Sequence, residues 1–249
     1  MKKRFKGFYL LVSSIIIGLL HLPFAFAKSA SGAKLFYHPP VDPAVKTNTS
    51  APVIPALRSV YDSLHLGLKG LSQQAFDYAK QGLSILAAEG KLLNDSIISI
   101  IDFSEPSNKK RLFVIDLKHY KVLFNTLVAH GRNTGREWAT SFSNQNSSFK
   151  SSPGFYITRE TYEGHNGYSL KLDGMERGIN DNAYERGIVM HGAAYVCDDL
   201  ANAQGFIGRS QGCPAVPVQV SRPIINTIKN GTCLFVYHPS YINKSPILR

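Results

Sequence analysis

Two residues in this chain have the types and spacing of a nucleophile and its base. His191 closes the run Ile188-Val-Met-His-Gly192, which reads as the end of a strand. Cys213 follows twenty-two residues later, inside Gly208-Arg-Ser-Gln-Gly-Cys-Pro-Ala215, a turn rich in Gly and Pro. A free thiol is mostly protonated at neutral pH, and the thiolate is the useful nucleophile, so an imidazole that accepts the proton makes the cysteine reactive. Gly212 lets the backbone approach a substrate closely, and the N–H groups of Gly212 and Cys213 could hold a developing oxyanion. Pro214 donates no N–H and stiffens the turn, and Arg209 is placed to lower the thiol pKa or to bind a substrate carboxylate. A cysteine met at random is usually a small buried hydrophobe. A Gly-Cys-Pro turn is poor core material, which shifts the balance toward chemistry.

Other chemistries fit less well. A zinc site from His191, Cys197 and Cys213 has spacings of six and sixteen, which match none of the paired-ligand patterns such as C-x-x-C. No metal and no cofactor are therefore expected. Cys197 and Cys233 are left as either a disulfide in an oxidising compartment or two buried thiols. Papain-like and related cell-wall peptidases place Cys before His, the reverse of the order here. Sortases place His first but carry a Thr-Leu-x-Thr-Cys turn, which this chain lacks.

The elements that must position these groups are mostly strands. Runs at 96–103, 111–117 and 121–129 are β-branched or alternating, and 154–161, 168–172, 187–191 and 233–238 follow the same pattern. Residues 132–150 are rich in Asn, Ser and Gly and read as a long loop, and 218–229 reads as a helix. Upstream, Leu57, Val60, Leu64 and Leu66 have near-helical spacing. Ser72 can cap a second helix that carries Phe76, Leu83 and Leu86 and closes at Gly90. The expected organisation is a helical N-terminal region at 56–90, a mostly β (β-rich α+β) catalytic domain at 91–240 and a C-terminal tail at 241–249.

The N-terminus carries a different signal. Lys2, Lys3, Arg4 and Lys6 precede an apolar stretch from Gly7 to Leu20, and Ala25-Phe-Ala27 supplies the small residues of a cleavage site. This is the pattern of a secretory signal peptide at 1–27, since 14 apolar residues fall short of the roughly 20 needed to span a bilayer. A Pro-, Ser- and Lys-rich leader at 28–55 follows. The chain of 249 residues has 28 Lys+Arg against 17 Asp+Glu, a net +11; without the four bases of the signal, 24 remain against 17, a net +7. A hydrophobic fraction of 44% excludes a wholly disordered chain, and three cysteines exclude a disulfide scaffold. The expected protein is exported to the periplasm or cell envelope, with no stable membrane insertion after cleavage. The bases are scattered and no stacking-aromatic motif accompanies them, so nucleic acid is not expected as a partner.

In these motifs the chain resembles the L,D-transpeptidases of bacterial peptidoglycan, the YkuD-like family, in the subgroup with Ser-x-Gly-Cys-Pro-Ala, here Ser210-Gln-Gly-Cys-Pro-Ala215. Further matches are Val128-Ala-His-Gly131, Ser151-Ser-Pro-Gly-Phe155, and Gly178-Ile-Asn-Asp-Asn182 with Arg186. The resemblance runs from about Ile97 to Tyr237 and implies an L,D-transpeptidase-like β-sandwich. It implies Cys213 as nucleophile, His191 as general base and the Gly192 carbonyl as the group that orients the imidazole. Gly212 and Cys213 would supply the oxyanion hole, and Arg209, Ser210, Asn180 and Arg186 would hold the donor peptide. Gln211 stands where the commoner signature has a second His, so any charge assistance from that position is lost. The implied partners are peptidoglycan stem peptides. The implied reaction forms a thioester on Cys213 with release of D-Ala, and an amine acceptor then gives a 3-3 cross-link. The alternatives are an L,D-carboxypeptidase that uses water and a catalytically silent peptidoglycan-binding protein of the same fold.

Overall fold

The apolar runs of this sequence are apolar on both faces of their strands, and the fold buries both. In the computed structural model, which describes residues 59–249, eight strands form one sheet in the order β3-β2-β1-β8-β4-β5-β6-β7. They are β1 (Ile97–Asp102), β2 (Leu112–Asp116), β3 (Lys121–Thr126), β4 (Gly154–Gly164), β5 (Gly167–Gly174), β6 (Val189–Gly192), β7 (Ala215–Val216) and β8 (Cys233–Tyr237). The expected signal peptide at 1–27, the leader at 28–55 and the first residues of the helical region lie outside the described residues.

Side chains alternate across a strand with period two, and here each set finds its own core. Ile97, Ile101, Leu112, Val114, Tyr156, Leu234 and Val236 pack in one cluster with Leu170, Met190 and Val216, from strands at both ends of the order. Ile98, Ile100, Phe113, Ile115, Phe155 and Phe235 face the other way, against Phe76, Leu83 and Leu86 of α2. Ala129, just beyond β3, bridges Ala215 of β7, so the two edges of the sheet nearly meet. The mostly β class is as expected. The two layers of the expected sandwich belong to one continuous, nearly closed sheet.

Among the described residues the helices are α1 (Val60–Ser63), α2 (Gln73–Ala88), α3 (Asp198–Gln204), α4 (Val218–Ile228) and α5 (Pro239–Ile242). Ser72 caps α2 by accepting the Ala75 N–H at 3.1 Å, as its position suggested. Of the first expected helix, the described residues form the single turn of α1. α4 lays Ile224, Ile225 and Ile228 into the first cluster, over β6. α3 and α5 were not foreseen. α5 and the residues after it are tied down by a buried carboxyl: Glu176 accepts the Phe155 N–H at 2.8 Å, the Tyr241 hydroxyl at 2.5 Å and the Ser245 hydroxyl at 2.5 Å. The β4–β5 hairpin runs farther than its apolar pattern, to Gly164 paired with Gly167, and its tip is His165-Asn166. Among the described residues no helix is long and apolar enough to cross a membrane.

Candidate active site

β6 delivers His191, and its neighbours in the sheet fix where it points. His191 pairs with Ser169 of β5 on one side and with Ala215 of β7 on the other, and its N–H donates to Pro214 O at 3.4 Å. Cys213 lies two residues before Ala215, in the turn that enters β7, so the sheet register brings Cys213 and His191 to one place. Both line a cleft of about 500 Å3, together with Arg186, Tyr195, Arg209 and Ser210. No Asp or Glu is among the residues that line it.

The protonation states follow from burial. His191 is only 5% exposed, and its Nδ1 lies 3.0 Å from Gly192 O. A carbonyl only accepts, so Nδ1 carries the proton and Nε2 keeps the lone pair that a base needs. Burial lowers the His191 pKa, and the Gly192 carbonyl partly opposes that shift. Burial raises the Cys213 thiol, while the Val189 N–H, 3.5 Å from Sγ, and the Arg186 charge pull it down. The thiol in turn faces Gly187 O at 3.7 Å. Both shifts favour the neutral forms of the two groups, and among the described residues no hydrogen bond joins the Cys213 sulfur to the His191 ring.

Ser210 builds the turn. Its Oγ accepts the Gly212 N–H at 3.0 Å and donates to Cys213 O at 2.6 Å. This corrects one expectation: the Gly212 N–H is buried and committed to Ser210, so it is not a free oxyanion donor. The Cys213 N–H donates to no protein atom among the described residues. Gly212 adopts φ +122°, and a Cβ there would stand 2.8 Å from Lys150 O, so glycine is required for shape.

The four expected peptide-binding residues separate. Arg209 and Ser210 line the cleft, and Arg209 also donates to Arg132 O and Gly135 O, each at 3.2 Å. Arg186 lines it too, and its guanidinium clamps the long loop through Ser143 O (3.0 Å), Ser152 Oγ (2.7 Å) and Lys150 O (2.6 Å). Asn180 does not reach the cleft. It is fully buried, its amide donates to Pro153 O and Phe155 O, and its carbonyl accepts the Glu176 N–H at 2.9 Å. It is a brace between a loop and β4, which corrects the expected binding role. The pairing left open for Cys197 and Cys233 is not made: all three cysteines are free, with Cys197 preceding α3 and Cys233 buried in β8.

The cleft also uses residues that the sequence reading passed over. Phe149 and Ser147 line it from the long loop, both with left-handed φ, at 54° and 56°. His165 and Asn166 reach it from the β4–β5 tip, and Tyr195 from the segment before α3. Burial pushes Tyr195 up to about 12, so its hydroxyl stays protonated. The His-Asn-Gly signature of a tight turn at 165–167 was the one available signal for the tip.

A family model described as the L,D-transpeptidase catalytic domain matches residues 68–237. No match is found among curated proteins. Among solved structures, the chain is similar to an L,D-transpeptidase from Mycobacterium smegmatis, at 11% identity over 57% of this chain and 59% of that one, TM-score 0.37. An L,D-transpeptidase from Mycobacterium tuberculosis H37Rv gives 13% over 57% and 58%, TM-score 0.37. The helical cell shape determining protein Pgp2 (K307A mutant) from Campylobacter jejuni gives 12% over 64% and 56%, TM-score 0.41. The chain thus spans less than three-fifths of the length of each of these three.

Proposed function

Because the chain belongs to the L,D-transpeptidase catalytic domain family, with the match covering residues 68–237, we propose that it is an exported cysteine acyl-transferase acting on peptidoglycan stem tetrapeptides. The observation that carries this reading is the fixed His191 tautomer, Nδ1–H on Gly192 O, in the same cleft as the Cys213 thiol. As Cys213 Sγ attacks the carbonyl between the third residue and the terminal D-Ala, its proton passes to His191 Nε2. The oxyanion gathers negative charge near the Cys213 N–H, a donor with no other partner among the described residues. Collapse breaks the C–N bond, His191 returns the proton to the departing amine, and a thioester remains on Cys213. An acceptor amine then gives up a proton to His191 and attacks the thioester, which regenerates the thiol and forms the cross-link.

Arg186 and Arg209, with no carboxylate among the lining residues, give the cleft the sign that suits stem-peptide carboxylates. Export, in this reading, rests on the signal-like sequence at 1–27. Incubation with purified tetrapeptide muropeptides tests the proposal. Release of D-Ala with dimer formation is the expected result, tripeptide without dimer would reassign the acceptor to water, and binding without release would leave a silent binder.

A further inference from the structure

The nucleophile turn rests on a buried structure that the chemistry above does not use. Residues 130–132 run beside it. Ser210 N–H donates to His130 O at 3.0 Å, Arg132 N–H donates to Ser210 O at 2.8 Å, and Gly131 N–H donates to Ser151 Oγ, which donates to Gly212 O at 3.0 Å. The approach is backbone on backbone: a Cβ on Gly131 would lie 2.9 Å from Gly212 Cα and 3.0 Å from its N. A shift of this segment therefore moves the turn that carries Cys213.

What fixes the segment is a charged residue in the core. Arg111, just before β2, is fully buried and makes no ion pair among the described residues. Its guanidinium donates through Nε and Nη2 to Val128 O (3.2 and 3.0 Å), through Nη1 to Glu105 O (2.8 Å), and through Nη2 to His130 Nδ1 (2.8 Å). It lies 4.7 Å from the Phe103 ring centre. Arginine has no acceptor, so His130 Nδ1 accepts and Nε2 carries the proton, which it donates to Gly135 O at 3.2 Å. Burial and the neighbouring cation hold His130 down to about 3, so the ring stays neutral. An unpaired buried guanidinium is costly, and apolar residues of similar volume often serve stability as well or better. Its presence is explained by what it holds in register.

We propose that Arg111 and His130 are positioning residues for the acyl-transfer reaction: the buried guanidinium fixes the His130 ring, and the His130–Arg132 backbone sets the Ser210–Cys213 turn. Neither side chain lines the cleft. The inference rests on the acyl-transfer reading for its effect on turnover, but its effect on the thiol is independent of any substrate.

The test pairs two readouts, tetrapeptide turnover and the rate of Cys213 carbamidomethylation by iodoacetamide, followed on the Cys213 peptide by mass spectrometry. His130→Leu is expected to lower kcat on the order of 10²-fold, as about 1 Å of misplacement does, with KM within about twofold. In the same variant Cys213 alkylation becomes several-fold faster, because the loosened turn exposes the thiol. His130→Asn, which keeps an acceptor for Arg111, recovers most of both values. Since His130→Leu leaves the guanidinium without its acceptor, the double variant Arg111→Met/His130→Leu serves as the second arm. Removing both partners avoids that orphaned donor, so this variant is expected to fold while showing the same loss of kcat and the same faster alkylation. A folded double variant with wild-type kcat and wild-type alkylation overturns the proposal. Loss of fold in both variants overturns it too, because the pair is then an element of global stability. If the wild type releases no D-Ala yet the alkylation rates still separate as expected, the acyl-transfer reading has failed and the positioning has not.

Discussion

Gly131→Ala isolates the contact between the His130–Arg132 segment and the nucleophile turn. Gly131 has an ordinary backbone conformation, so alanine adds no φ strain and only a methyl group. That methyl would lie well inside van der Waals distance of Phe149 O, 2.9 Å from Gly212 Cα and 3.0 Å from Gly212 N. All three neighbours are backbone, and Gly212 is itself confined by Lys150 O, so no flexible side chain can swing away. Burying one methyl gains at most about 0.8 kcal/mol. Overpacking of a filled site costs about 1–3 kcal/mol, so the net effect is destabilising. For a domain of this size a net loss of about 0.2–3 kcal/mol corresponds to a fall in Tm of up to roughly 12 °C. The larger effect is expected in turnover, because about 1 Å of displacement at the nucleophile costs on the order of 10²-fold. Calorimetry and D-Ala release would measure the two. Gly131→Ala with unchanged Tm and unchanged kcat would refute the claim that this backbone contact positions Cys213.

Three further outcomes follow from burial and packing elsewhere. Because burial lowers His191, the acid limb of kcat/KM should fall below the ordinary imidazole value of 6.5, and a limb above it would show a different base. Burial raises the Glu176 carboxyl, so the folded state holds its proton more tightly than the unfolded one; stability is then full below the ordinary carboxylate pKa and declines as pH rises through the raised value. Glu176→Gln should flatten that decline in Tm–pH scans, and an unchanged slope would assign it to another group. In α2, a Cβ on Gly82 would enter the Phe155 ring, which stacks on Phe235 at 4.2 Å between centroids. Gly82→Ala should therefore lower the denaturant midpoint, since a Cβ that falls inside a buried, stacked ring puts the overpacking cost near the upper end of about 1–3 kcal/mol, above a helix-propensity gain of about 1 kcal/mol.

Much of the sheet could be read from the sequence because β1, β2 and β8 are apolar on both faces, and both faces are buried. The last three residues of β4, Tyr162–Gly164, lie beyond the expected strand for the opposite reason: they are exposed, and pairing with β5 rather than burial keeps them extended. β7 is two residues long, too short for any period to register, yet it sets the offset between His191 and Cys213. α3 has one buried residue, Ala201, and so no apolar stripe to announce it. Cys213 and His191, the two residues with obvious reactivity, could be singled out from type and spacing, and both line the one cleft. Asn180 could not be told from a ligand-binding amide, because an amide that braces backbone carries the same chemistry as one that binds substrate. The Gly212 N–H was misassigned because Ser210 folds back onto its own turn, a bond that spacing alone does not reveal. Arg111 and His130 gave no signal as a pair, since they meet only when the segment after β3 crosses behind the turn.

The central claim is that Cys213 carries the acyl group. Intact-protein mass spectrometry after rapid mixing with a stem tetrapeptide, followed by peptide mapping, tests it directly. The account predicts an adduct equal to the tetrapeptide less its terminal D-Ala, confined to the Cys213 peptide, removed by hydroxylamine and absent from Cys213→Ala. An adduct at Cys197 or Cys233, or D-Ala release that persists in Cys213→Ala, would contradict it.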